Sequence, residues 1–219
     1  MIKDFDLLQR ANNDYTTIDL EHAEELAYRE LIDSIRYIPL GDECGVMGNI
    51  ANIITYKGRF YIQEEQFDRV FIYDDTGRCL KKIDNKGRGP GEYLRIESID
   101  INTEKEELML VDGMSDKLFF YDLDGNFKSI HSIRYFQTEN TLCLRDSVFL
   151  HISAPSQNFG NEGLYGYALV LSKGNENFLK GYRYLPLQVG YKGGGQIFKG
   201  YERSCYHPIY SDTIYQILS

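Results

Sequence analysis

The feature that most constrains this chain is that it repeats itself: residues 53–77 and 101–125 superpose at a constant offset of 48 positions. Phe60-Tyr61-Ile62 answers to Leu108-Met109-Leu110, and Asp68-Arg69-Val70-Phe71 to Asp116-Lys117-Leu118-Phe119. Tyr73-Asp74 with Gly77 answers to Tyr121-Asp122 with Gly125. Each copy reads as a strand, a polar turn, a second strand, an Asp-rich turn closed by Gly, and a third strand, the last over 79–83 in one copy and 127–133 in the other. The turn chemistry has a mechanism, because Asp bonds the backbone two residues on and Gly takes the positive φ that closes a hairpin. A period of roughly 40 to 50 residues carrying about four strands is that of a β-propeller blade, which cannot bury both faces alone. The expected fold is therefore all-β, with blade stacked on blade.

The remainder of the chain is read around that repeat. Residues 1–31 form an N-terminal segment in which Leu20, Ala23, Ala27 and Leu31 recur at helical spacing after Asp19, which predicts a short helix or turn over 19–31. From Ile32 the pattern changes to period two, and Ile35 and Tyr37, followed by Leu40, predict a strand over 34–40. Stretches 141–144, 147–152 and 167–171 predict a third, divergent unit with an inserted loop over 154–166. A closing copy at Tyr210-Ser211-Asp212-Thr213-Ile214-Tyr215 reads like the segment from Asp68 to Tyr73. Residues 32–219 thus hold about four blades at this period, the last one strand short. The strand at 34–40 is free to supply the missing member and remove two exposed edges.

Composition excludes several classes of partner. A net charge of −9 with both signs mixed along the chain offers no basic patch for nucleic acid or an anionic membrane surface. No run approaches the ~20 apolar residues of a membrane span, and Met1-Ile2-Lys3-Asp4-Phe5-Asp6 is not the start of a signal peptide. Cys44, Cys79, Cys143 and Cys205 stand far apart without zinc-ligand spacing, which predicts buried free thiols.

Between the two copies lies a joint, residues 86–93, Lys-Gly-Arg-Gly-Pro-Gly-Glu-Tyr. Together with Ile35-Arg36-Tyr37-Ile38-Pro39-Leu40, Phe71-Ile72-Tyr73-Asp74, Phe119-Phe120-Tyr121-Asp122-Leu123-Asp124-Gly125 and Ser211-Asp212-Thr213-Ile214-Tyr215, it resembles the six-bladed β-propeller proteins of Bacteroides-type bacteria, relatives of the NHL-repeat propellers. The resemblance implies NHL-like four-stranded blades, here about four of a six-bladed pattern, and export to the periplasm or cell surface. It implies fold far more than activity.

The candidate chemistry is sparse. Arg88, Glu92 and Tyr93 are the polar groups the joint can present to a ligand, although a glycine-rich path between blades is the better explanation of the joint. Asp122-Leu123-Asp124-Gly125 opens like a calcium loop, but Phe127 and Ile133 stand where its Gly and bidentate Glu belong. The glycines from Gly190 to Gly195 lack the Lys and Ser/Thr of a phosphate loop, since Gln196 and Ile197 follow them. His22, His131, His151 and His207 are scattered, so no catalytic residue, metal ligand or cofactor is assigned. Seven of the 18 tyrosines fall between Tyr182 and Tyr215, and Tyr182, Tyr184 and Tyr191 are candidates for stacking on a sugar or a protein. The expected function is a non-enzymatic binding or scaffolding module for a protein or carbohydrate ligand, with self-association if its ring is incomplete. The alternatives are a carbohydrate-binding protein using the Tyr-rich region and a metal-dependent hydrolase or lyase at the propeller axis.

Overall fold

The computed structural model describes residues 3–4, 32–133, 138–145, 147–153, 165–174, 177–183, 196–199, 204–207 and 214–217. Among them there is no helix, and every regular element is a strand. The helix predicted over 19–31 and most of the loop predicted over 154–166 lie outside the described residues.

The repeat is realised strand for strand. The first blade is formed by β2 (Ile50–Tyr56), β3 (Arg59–Glu64), β4 (Arg69–Asp74) and β5 (Cys79–Ile83), antiparallel and in sequence order. The second is formed by β6 (Ser98–Asn102), β7 (Glu107–Asp112), β8 (Lys117–Asp122) and β9 (Phe127–Ser132) in the same order. Each strand of the second blade starts 48 residues after its counterpart, and the turn conformations repeat as well. Asp68 and Asp116 have φ of 57° and 53°, and Gly77 and Gly125 have φ of 87° and 79°. Asp is one of the few side chains that tolerates this left-handed region, and Gly meets no Cβ penalty there.

A third unit follows with β10 (Asn140–Arg145), β11 (Val148–Ile152), β12 (Tyr167–Lys173) and β13 (Asn177–Arg183). Its outer strand β13 pairs in parallel with β1 (Lys3–Asp4), so this sheet has five strands. The described residues end with a three-stranded sheet of β14 (Gln196–Lys199), β15 (Ser204–His207) and β16 (Tyr215–Ile217).

The core lies between consecutive sheets. Tyr61, Val70, Ile72 and Ile83 of the first blade meet Ile99, Leu110, Phe119 and Tyr121 of the second. The other face of the second blade sets Met109, Leu118 and Phe120 against Cys143 and Phe149 of the third. Leu142, Leu150, Ile152 and Leu169 then receive Tyr206 of the last sheet. Alternate side chains of one sheet thus serve two interfaces, which is why the middle strands of each blade are apolar on both faces. Strand β6 lies beside both β2 and β10, so the first strands of successive blades gather on one side, as in a propeller.

Two expectations are corrected. Residues 32–49 form no strand, and Ile35, Tyr37 and Leu40 are exposed. This segment runs across the free face of the first blade as an irregular strap, fixed by Gly41 N donating to the Gly77 carbonyl and by Tyr73 Oη donating to the Gly41 carbonyl. Alternation of apolar residues makes a strand only where a second backbone lies beside it, and here the strap meets the turn between β4 and β5 instead. Cys44 and Cys79 are also not free thiols but a disulfide, with Cα atoms 6.0 Å apart, joining strap to β5. Cys143 and Cys205 are not disulfide-bonded, and the former is buried.

Candidate functional site

The joint between the first two blades is built around Asp68, whose left-handed backbone turns the chain from β3 into β4. Asp68 Oδ1 accepts the Ile96 amide at 3.1 Å, Oδ2 pairs with Lys86 Nζ, and its carbonyl accepts the Tyr93 hydroxyl at 2.8 Å. Tyr93 is completely buried, its ring edge-on to Phe119 and its hydroxyl also accepting the Asn85 amide at 3.1 Å. Burial pushes that hydroxyl well above the usual tyrosine range. Tyr93 therefore anchors the joint and is not presented to solvent.

The other two predicted joint residues divide. Glu92 folds back on its own loop, accepting the Gly89 amide at 2.7 Å, and a Cβ at Gly87 would run into its carboxylate. Glycine at position 87 thus leaves room for a carboxylate that caps the loop backbone. Arg88 is exposed and makes no hydrogen bond or ion pair with the described residues.

Between this joint and β9 lies an open cleft of about 640 Å³, lined by Asp84, Asn85, Lys86, Pro90, Gly91, Glu92, Phe127 and Ile130. Phe127 is 45% exposed and stands edge-on to the buried Tyr121, with ring centroids 5.7 Å apart. Burial pushes the Tyr121 hydroxyl up to about 12, with the Asn85 side chain acting in the opposite direction. The repeat shows what is unusual here. Residue 79 of the first blade is the counterpart of Phe127, and there the corresponding space is closed by the Cys44–Cys79 disulfide, with the Glu43 carboxylate accepting the Cys79 amide at 3.3 Å. One copy of the repeat seals the gap between joint and outer strand, and the other leaves it open with an aromatic ring in it.

A second hollow of about 440 Å³ is lined by Lys57, Arg59, Glu106, Asp122, Leu123 and Asp124. Its charges are already matched: Lys57 pairs with Glu106, Arg59 Nη1 donates to Asp124 at 2.7 Å and to the Leu123 carbonyl at 2.9 Å. Hydrogen bonds from the Asn126 and Asp124 amides hold the Asp122 carboxyl low against the opposing effect of burial. This is the ion-paired seam between two blades.

The buried carboxylates are spent on the backbone. Glu64 accepts the Gln66 and Phe67 amides, Asp112 those of Leu94, Met114 and Ser115, and Asp100 that of Cys143 at 2.8 Å. His151 lies wholly buried between Thr141 Oγ1 at 2.9 Å and Ser172 Oγ at 2.8 Å, and burial pushes its ring down to about 3. A serine beside a neutral histidine resembles a nucleophile and its base, yet Ser172 is 3% exposed, so the trio ties three neighbouring strands and offers no path to substrate. Among the described residues no group of three His, Cys, Asp or Glu side chains converges as a metal site.

Of the remaining predicted residues, Tyr182 belongs to β13, while Tyr184 and Tyr191 lie outside the described residues. Sequence reasoning missed Phe127 and Asn85. The signal for Phe127 was in the alignment of the two copies, where a bulky aromatic replaces Cys79 on an outer strand.

A solved structure supports the fold. A Bacteroides fragilis protein described as exported superposes with a TM-score of 0.73 at 19% identity, over 84% of this chain and 52% of its own. A member of the DUF4221 family from Bacteroides vulgatus matches with a TM-score of 0.48 at 10% identity, over 77% and 54%. The WD40 repeats of RRP9 match at 0.46 and 9%, over 72% and 44%. The chain spans about half the length of these structures. No curated protein matches the sequence. The family model described as "Domain of unknown function (DUF4934)" matches residues 15–219.

Proposed function

The chain belongs to the DUF4934 family, and we propose that it is a non-enzymatic binding module that presents the cleft beside residues 86–93 to a protein or carbohydrate ligand. The observation that carries this reading is the broken symmetry of the repeat: the space sealed by a disulfide in the first blade is open in the second, with Phe127 exposed in it. An exposed ring with Ile130 and Pro90 supplies an apolar contact, Asn85 and Lys86 stand beside it as polar groups, and exposed Arg88 belongs to the same loop, the combination of apolar surface and few polar groups that binding pockets use. The carboxylates around the cleft are already committed, Asp84 to Arg69 at 3.0 Å and Glu92 to its own loop, which favours recognition over proton transfer.

The finer reading of the architecture, a partial set of NHL-like blades from a six-bladed pattern, belongs to the same proposal and is supported by the strand-for-strand repeat. So does export to the periplasm or cell surface. Disulfides persist in oxidising compartments, and the Bacteroides fragilis protein of this fold is described as exported.

The test is a glycan array and a peptide array probed in parallel with the wild-type chain, Phe127→Ala and Arg88→Ala. Arg88 is exposed and its variant should keep the melting temperature, whereas Phe127→Ala gives up the edge-on contact with Tyr121 and should stay folded with a slightly lower one. A ligand bound by the wild type and weakened about tenfold or more in Phe127→Ala supports the cleft. Ligands that bind all three proteins equally would remove it.

A further inference from the structure

The outer strands of the first three sheets meet different fates. An outer strand turns a row of backbone groups away from its own sheet, and these need a partner or water. In the third unit the edge of β13 is taken by β1, with Lys3 opposite Lys180 and Asp4 opposite Gly181. In the first blade the strap covers the start of β5: Glu43 accepts the Cys79 amide at 3.3 Å, and Cys44 is bonded to Cys79. In the second blade the sheet ends at β9, and no described strand pairs with its outer side.

The repeat fixes which groups β9 leaves open. The Asp122 amide donates to the Asn126 carbonyl at 2.9 Å and the Gly125 amide to the Asp122 carbonyl at 3.0 Å, the pattern that Asp74, Arg78 and Gly77 make in the first blade. Bonded and unbonded pairs alternate along an antiparallel ladder, so the next pair, Tyr121 with Phe127, turns the N–H and C=O of Phe127 outward. Cys79 stands opposite Tyr73 in the same register, and its amide does reach outward, to Glu43. The residues 48 positions on from Glu43 and Cys79 are Gly91 and Phe127. Gly91 has no carboxylate to offer, and a Cβ there would meet the Phe127 ring at 3.9 Å. The cap of one copy is thus missing from the other, at the place where the cleft opens.

On the premise that the cleft is a ligand site, we propose that the edge of β9 takes an extended peptide as an added strand, with an apolar side chain seated in the cleft. Alternate side chains of a strand share a face, so a peptide laid along β9 sends every second one toward Phe127, Ile130 and Pro90. Its backbone meets the outward N–H and C=O of Phe127, as β1 meets β13 in the third unit. A sugar stacked on the Phe127 ring would leave that strand edge unmet. Asp84 is engaged by Arg69, Lys86 by Asp68 and Glu92 by its own loop, so the cleft favours an uncharged side chain.

The test is binding of the intact, oxidised chain to short degenerate peptides, run beside the glycan array. The strongest peptide is remade in two forms, N-methylated at alternate amides in one phase or the other. Only one phase faces β9, so one form should bind about tenfold or more weakly while the other stays within about threefold of the parent. The bound parent should also slow hydrogen exchange at the Phe127 amide, and Phe127→Ala should weaken it. Equal binding of the two methylated forms overturns strand addition, and the cleft survives as a ligand site if Phe127→Ala still weakens the parent. A Phe127 amide already protected in the free chain overturns the proposal too, because the edge is then occupied from within. No peptide bound at ~100 µM likewise overturns it. In that case a glycan lost in Phe127→Ala keeps the cleft, and no ligand of either class removes both.

Discussion

Opening the Cys44–Cys79 disulfide offers the sharpest test of the strap. The bridge closes a segment with a sequence separation of 35 residues. In the chain-entropy treatment, releasing a loop of that length returns about 4 kcal/mol of freedom to the unfolded chain. Unfolding entropy at the midpoint scales to about 0.46 kcal/mol/K for a chain of this length, so the transition should fall by roughly 8 °C. The assay is thermal unfolding followed by circular dichroism, with and without a thiol reductant. It is run on the wild type, on Cys44→Ser with Cys79→Ser, and on Cys143→Ser as a control. The wild type and control should drop on reduction, while the double variant should melt at the lower temperature in both buffers. Limited trypsin digestion should cut at Arg36 sooner in the reduced protein, because the strap then rests only on its hydrogen bonds. Equal melting temperatures in the two buffers, with four titratable thiols in the oxidised sample, would refute the reasoning.

Three further outcomes are expected. Asp68→Asn keeps an acceptor for the Ile96 amide and loses the pair with Lys86, so it should cost about 1 kcal/mol, whereas Asp68→Ala strands a buried amide and should cost about 3 kcal/mol, read from urea midpoints. His151 is held neutral in the folded chain with its pKa near about 3, while the unfolded ring takes up a proton below about 6.5, so its contribution is intact above that pH and is lost progressively toward 3. The loss should reach about 3 kcal/mol near pH 4.5, and His151→Asn should flatten that part of the stability profile; an unchanged slope would refute the assignment. Gly77→Ala should destabilise by about 2 kcal/mol or more, because it combines a φ of 87° with the Pro39 carbonyl, and it should also speed proteolysis at Arg36; a change below about 0.5 kcal/mol would remove the strap contact.

The blades were legible because their signal is redundant. Asp68 with Gly77, and Asp116 with Gly125, mark turn positions whose backbone demands those residue types, and the apolar runs between them can only be strands buried on both faces. The strap was not legible, since Ile35 and Tyr37 alternate as a strand would and nothing local reveals that the face they border already has its full complement of strands. The disulfide was hidden for the same reason: a separation of 35 residues has no local spacing rule, and only the path of the strap brings Cys44 to Cys79. In the joint, residue type and role came apart. Tyr93 and Arg88 both read as polar groups on a loop, but Tyr93 finds an acceptor in the core while Arg88 finds none among the described residues. Phe127 required comparing the two copies with each other, because a lone aromatic on a strand is ordinary.

The pairing of β1 with β13 has a consequence for the order of events during synthesis. Lys3 lies opposite Lys180, so β1 is synthesised long before its partner strand exists. The first two blades are hairpins of neighbouring strands and form as they emerge, whereas this contact has the longest sequence separation in the molecule's described pairings and must come late. The pairing of β1 with β13 therefore completes the third sheet after its other strands have met. Substitution of Lys3 and Asp4 by proline should leave the first two blades intact and slow this last pairing, seen as a separate late phase in refolding.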